Sequence, residues 1–207
     1  MKNKKNIVLV GANGLFGSSF VKLYDMQYNI LEITRENCQQ ILESMKNEKD
    51  SFYDAVIFAA QSSDYKSNVF SNDIFDINLR LFHQILNIFQ KKTNKIVFFS
   101  TGSVYKSDEN EVITENTALD YHSKNPYVLS KLSAELILQS YQGIYQSITI
   151  LRPFYMYGEN QNELMLFMQI VQKLKNDMPI EINCDGGMKF NCIHADDVSL
   201  IVAKILE

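Results

Sequence analysis

The chain has 207 residues, 46% hydrophobic and 21% charged, which suits an ordinary globular domain with one sizeable core. Its formal net charge of −4 gives no electrostatic drive toward nucleic acid or an anionic membrane surface, and no apolar run approaches the ~18 residues of a membrane span. The cysteines (Cys38, Cys184, Cys192) are odd in number and far apart and share no ligand spacing with the three histidines. Neither a disulfide framework nor a metal site is expected, no secretory leader pattern is visible, and a reducing cytoplasm is the expected setting.

In chain order, short apolar runs alternate with helical patterns. Residues 7–10 (IVLV) read as a buried strand and Leu15–Tyr24 as the helix after it. Residues 30–33 form a second strand, 38–46 a helix, Ala55–Phe58 a third strand and 73–90 a long helix. Residues 96–99 (IVFF) form a fourth strand, 126–141 a helix and 148–151 a fifth strand. Continuous apolar strands separated by helices predict a Rossmann-like, doubly wound parallel sheet covered on both faces. After Arg152, a helix over 162–175, a short strand over 180–182 and a final helix over 196–206 are expected. Residues 1–151 are read as the nucleotide domain and 152–207 as sheet completion with the beginning of a substrate lobe, all in one compact unit. The run 164–171, with Met165 and Met168, is expected to pack in the core.

Three of the eight glycines fall in Gly11-Ala12-Asn13-Gly14-Leu15-Phe16-Gly17, directly after the first strand. Gly11 permits a tight turn, Gly14 lets backbone approach a pyrophosphate, and Gly17 lets the helix pack closely. The helix N-terminus, with Asn13, Leu15 and Phe16 around it, adds N–H donors and a positive dipole end. The pattern points to a nicotinamide dinucleotide. Cofactor choice is read at the end of the second strand, where a carboxylate suits a ribose hydroxyl and an arginine suits a 2′-phosphate. There the chain runs into Thr34-Arg35 with no acid expected at the tip, favouring NADP, with NAD second.

Tyr127-Val128-Leu129-Ser130-Lys131 places a phenol and an amine on one helix face. A free tyrosine, with a pKa near ~10, is a poor base at neutral pH; an ammonium one turn away stabilises its phenolate. Tyr127 can then exchange a proton with a substrate oxygen, and Lys131 can reach a nicotinamide ribose. A hydroxyl from Ser100-Thr101-Gly102-Ser103, at the carboxyl end of the fourth strand, would hold that oxygen.

Seven motifs in order resemble the extended short-chain dehydrogenase/reductases, also called NAD-dependent epimerase/dehydratases. These are GANGLFG at 11–17, DAVIFAA at 54–60, Asn78 on the long helix, STGSVY at 100–105, NPYVLSK at 125–131, LRPFYMYG at 151–158 and CIHADDV at 192–198. The resemblance implies a catalytic set of Thr101 (ahead of Ser103), Tyr127 and Lys131. It places Ser100, Ala59, Ala60 and the backbone of Pro153 beside the cofactor, with Asn78 supporting the site. It also implies a sugar substrate, nucleotide-linked in the family, and a homodimer through the 73–90 and 126–141 helices. The first of these helices is apolar almost all round, which fits either a subunit interface or coverage by its own chain.

Three features depart from the family pattern. Tyr155 replaces an asparagine that contacts substrate phosphate, Phe190 and Asn191 replace an Arg-Asp pair, and the chain is shorter than family members. Thr34-Arg35 resembles the NADPH-using reductases, and Gly102-Ser103 stand where a dehydratase carries Asp-Glu. A reductase or epimerase is expected ahead of a dehydratase. The alternative is a non-catalytic dinucleotide-binding sensor or a subunit of a larger complex.

Overall fold

The strands are built from branched and aromatic residues whose alternate side chains serve two separate cores. In β1 (Lys5–Val10), Ile7 and Leu9 face one layer while Val8 and Val10 face the other, all four fully buried. The same division runs through β3 (Ala55–Phe58) and β4 (Lys95–Phe99). With β2 (Tyr28–Ile33) and β5 (Ser147–Leu151) they make a five-stranded parallel sheet in the order β2-β1-β3-β4-β5. The computed structural model describes residues 4–48, 50–62, 73–106, 112–181 and 191–207.

One face is covered by α2 (Cys38–Asn47), α3 (Asp73–Phe89) and α4 (Pro126–Ser140), with Phe82, Ile85, Leu86 and Phe89 packed on Phe58 and Phe98. The other is covered by α1 (Leu15–Tyr24) and α6 (Ala195–Leu206), where Phe16 and Phe20 meet Val198 and Val202. The doubly covered sheet is the expected architecture, and the apolar surround of α3 is met largely within the chain, by the sheet and by α2 and α4. The chain leaves β1 toward β2 and returns on the opposite side to β3. The crevice at the carboxyl ends of β1 and β3 is therefore the switch point at which open α/β sheets take ligands.

After Leu151 the structure departs from expectation. Among the described residues this segment adds no strand to the main sheet; β6 (Tyr155–Tyr157) and β7 (Cys192–His194) pair parallel in a small sheet of their own. Of the strand expected over 180–182, Ile180 and Glu181 are not extended into a sheet, and Ile182 lies outside the described residues. The expected 162–175 helix begins only at α5 (Leu166–Lys175), because residues 162–165 form a turn that places Met165 at the N-cap. The core role expected for 164–171 is overturned: α5 has no buried residue and Leu164 is 70% exposed. Its contacts are with a small aromatic group, Phe167 against Tyr155 and Tyr157. Among the described residues no helix is long and apolar enough to cross a membrane.

Candidate active site

The glycine turn is built by steric exclusion. Gly11 has φ +94°, and a Cβ there would come within 2.8 Å of the Ala60 amide nitrogen. A Cβ on Gly17 would lie 2.2 Å from the Gly11 carbonyl oxygen and 2.6 Å from that of Ala12. What Gly17 makes room for is thus the turn itself, folded down on the first coil of α1. The Gly11 and Ala12 amides donate to the Ile33 carbonyl at 2.8 and 3.3 Å, tying the turn to the end of β2. Gly14 is the N-cap of α1 and no side chain caps the helix there, so the positive helix end opens onto solvent. An anionic pyrophosphate fits this cradle.

The turn forms one wall of a cleft of about 960 Å³ that runs along the carboxyl edge of the sheet. Gly11, Asn13, Gly14, Leu15, Phe16 and Gly17 line it, as do Thr34 and Arg35 after β2, and Ala59 and Ala60 after β3. Asn78, Ser100, Thr101, Ser103, Tyr127 and Pro153 line its other end. The candidate cofactor-binding and catalytic residues therefore line one cleft except Lys131, whose amine lies behind the Tyr127 ring. Asn78 accepts from the Ser62 amide at 2.8 Å and donates to Ser130 at 3.3 Å, bracing the β3 loop against α4.

The absence of an acid after β2 is corrected. Glu36 lines the cleft beside Arg35, and its carboxylate accepts from the Asn13 amide group at 3.4 Å. A hydrogen bond from Thr34, with smaller help from Arg35 and Asn13, holds it below the usual carboxylate range, so Glu36 is ionised at neutral pH. Spacing along the strand did not reveal it because the turn after Ile33, closed by Thr34 and Asn37, folds Glu36 back toward the glycines.

Around the hydroxyl end, Asn125 caps α4 by accepting from the Tyr127 amide at 2.9 Å, with Pro126 in the first turn. The Tyr127 phenol donates to the Gln61 side-chain oxygen at 2.9 Å. Thr101 is 7% exposed and accepts from the Ser103 amide at 3.3 Å, starting the short 3-10 turn Gly102–Val104. The Lys131 amine donates to the Phe99 carbonyl at 2.8 Å and lies 5.8 Å from the centre of the Tyr127 ring. Burial pulls its pKa from 10.5 down to about 7, against an opposing pull from Glu135.

Two residues that sequence reading passed over complete the surroundings. Glu135, 1% exposed, receives a fork from Arg152 (3.0 and 2.6 Å) together with the Ser100 hydroxyl. Arg152 also donates to the Tyr105 hydroxyl at 2.9 Å, and these partners raise its pKa further. Tyr155, the substitution for a family asparagine, turns its hydroxyl to the Phe167 amide at 3.4 Å, at the start of α5. Phe190, the other substitution, lies outside the described residues. His194 is the N-cap of α6, accepting from the Asp196 amide at 3.2 Å.

Known proteins resemble the chain in sequence and in fold. The model of the NAD dependent epimerase/dehydratase family matches residues 7–207. An uncharacterized UDP-glucose epimerase, YtcB, from Bacillus subtilis is 32% identical over 111 residues, 53% of this chain and 34% of that protein. The UDP-N-acetylglucosamine 4-epimerase from Methanobrevibacter ruminantium, solved with UDP-N-acetylmuramic acid, superposes with a TM-score of 0.78 at 20% identity. It covers 96% of this chain and 71% of the epimerase. RMD from Pseudomonas aeruginosa complexed with NADPH gives a TM-score of 0.79 at 18% identity, covering 98% and 74%. These solved structures share the fold. The matches to curated relatives span 22% to 40% of those proteins' lengths.

Proposed function

Because the chain belongs to the NAD dependent epimerase/dehydratase family, we propose that it binds a nicotinamide dinucleotide and reduces or epimerises a sugar, with Thr101, Tyr127 and Lys131 doing the proton chemistry. The observation that carries this reading is the arrangement of the cleft. The Tyr127 phenol and the Thr101 hydroxyl share it with the glycine turn, and the buried Lys131 amine lies beneath the phenol.

Gly11, Gly14 and the uncapped start of α1 would hold the pyrophosphate, Ala59 and Ala60 would lie along the ribose, and the Pro153 backbone would meet the nicotinamide. When bound, the nicotinamide supplies or accepts the hydride. Tyr127 takes the proton of a sugar hydroxyl in the oxidative direction and returns it to a ketone in the reductive one. Protonated Lys131 stabilises the phenolate across the 5.8 Å to the ring, and Thr101 holds the substrate oxygen. Gln61, which accepts the phenol at 2.9 Å, marks where that oxygen would sit.

NADP is the first choice because Arg35 lines the cleft after β2; Glu36, which lines it beside Arg35, is the feature that supports NAD as the second. Reduction or epimerisation is preferred to dehydration because Ser103 and, before it, Gly102 supply no carboxylate.

The test is Tyr127→Phe, assayed with a panel of UDP-, GDP- and dTDP-linked sugars. Turnover is expected to fall at least ~100-fold with dinucleotide affinity unchanged within a few fold. Retained activity would remove Tyr127 from the mechanism. Wild-type binding without turnover on any sugar would favour the sensor or subunit reading.

A further inference from the structure

Tyr127, Lys131 and Glu135 follow one another at intervals of four residues along α4, and so share one face of the helix. The last is buried to the degree of the hydrophobic core, at 1% exposure. An ionised carboxylate in such a place is stable only if its oxygens are engaged. Both are: Arg152 grips them at 3.0 and 2.6 Å, and the Ser100 hydroxyl adds a third donor. These partners are not spread at random over the fold. Ser100 directly precedes Thr101 and follows Phe99, whose carbonyl holds the Lys131 amine at 2.8 Å. Arg152 leads into Pro153, whose carbonyl accepts from the Gly102 amide at 2.8 Å. One carboxylate thus joins the ends of β4 and β5 to the helix that carries the phenol and the amine.

We propose that Glu135 is a positioning residue of this site: its charge, fixed by the Arg152 fork, keeps Lys131 protonated in dry surroundings, and its oxygen sets Ser100, and with it Thr101, against α4. The inference rests on the reading of Lys131 as the partner of Tyr127. Among the described residues, the ionisable groups facing this cluster are Tyr127 and Glu135 from α4, Arg152 from the end of β5, and Tyr105 from the turn after β4. The remaining wall around Lys131 comes from Phe58, Ala60, Asn78, Phe82 and Phe98, none of which titrates. Lys131 has little margin, since burial already brings it to about 7 with the carboxylate in place.

The experiment is a pH titration by NMR of the chain labelled at lysine side chains, with Lys131 assigned by its loss in Lys131→Met. Glu135→Gln keeps the shape of the group and an acceptor for Ser100 but removes the charge. The Lys131 midpoint is expected to fall by about one pH unit or more. A merely structural role gives the opposite sign, because loosening the cluster would rehydrate the amine and raise its midpoint; an unchanged or raised midpoint overturns the proposal. If Glu135→Gln does not fold, the wild type decides. With glutamate side-chain carboxyls labelled, the Glu135 resonance should show a step at the Lys131 midpoint, and its absence overturns the proposal. Neither readout requires turnover, so an inactive chain would count against the proposed reaction and leave this inference standing.

Discussion

Replacing Lys131 with methionine removes an amine that folding takes out of water, and its effect on stability should depend on pH in a defined direction. In the unfolded chain the amine titrates near 10.5; in the folded chain burial lowers this to about 7. Because the folded pKa is depressed for a group that is charged when protonated, the unfolded state binds more protons between these two values. Stability of the wild type therefore rises with pH through that window, and the burial penalty is fully present below about 7. At ~1.4 kcal/mol per pH unit, the rise from this group between roughly pH 6 and pH 9.5 is about 3 kcal/mol. Methionine matches the length of the stem and carries no charge. It also forfeits the hydrogen bond to the Phe99 carbonyl; the difference between the ammonium and the amine in that bond is already contained in the folded pKa, and the remainder cancels when the two pH values are compared. Denaturant unfolding at both pH values, wild type against Lys131→Met, measures the difference directly. The variant should gain on the wild type at pH 6 by about 3 kcal/mol more than at pH 9.5. A stability difference independent of pH would mean that the amine is not desolvated in the folded chain, and the electrostatic account of the site would fail.

Two further substitutions test the framework around the site. Gly17→Ala drives a methyl group onto two backbone carbonyls that cannot swing aside. It should cost about 3 kcal/mol in a melting or denaturant experiment and abolish dinucleotide binding, and a variant of wild-type stability would show the turn to be looser than described. Tyr145→Phe removes a buried hydroxyl with no hydrogen-bond partner among the described residues, a group whose pKa burial pushes up to about 12. It should raise stability by about 1 kcal/mol, whereas destabilisation would reveal a partner.

The sheet and its helices were legible because most strands carry a short apolar run of the length that spans a buried sheet, and some helices have a start signal of their own. The glycine turn after β1 and the Asn125-Pro126 start of α4 are such signals. The main-sheet strands and their covering helices depend on local pattern alone, and their ends shift by no more than two residues, as where β2 begins at Tyr28. β6 and β7 were not legible: each has three residues, and what makes them strands is pairing between Tyr155 and Cys192, far apart in sequence. The same holds for α5, whose apolar pattern resembles that of a buried helix although none of its residues is fully buried and its ring contacts are with Tyr155 and Tyr157. At the site, the meeting of the glycine turn and the Tyr127 helix at one cleft was readable because each motif is defined by spacing within a few residues. Glu36 was missed because a tight turn carries it back toward Asn13. The Glu135–Arg152 fork was missed because it closes across 17 residues between a helix and a strand end. Its signal was present as two opposite charges, each standing alone in an apolar run.

The measurement that reaches the central claim most directly is a titration of the purified chain with NADPH and with NADH, followed by nicotinamide fluorescence, which no tryptophan in this chain obscures. Saturable binding is predicted, tighter for NADPH because Arg35 lines the cleft. Failure of the folded chain to bind either dinucleotide would contradict the account at its root, since the glycine turn, the uncapped helix and the cleft beside Tyr127 would then serve some other purpose.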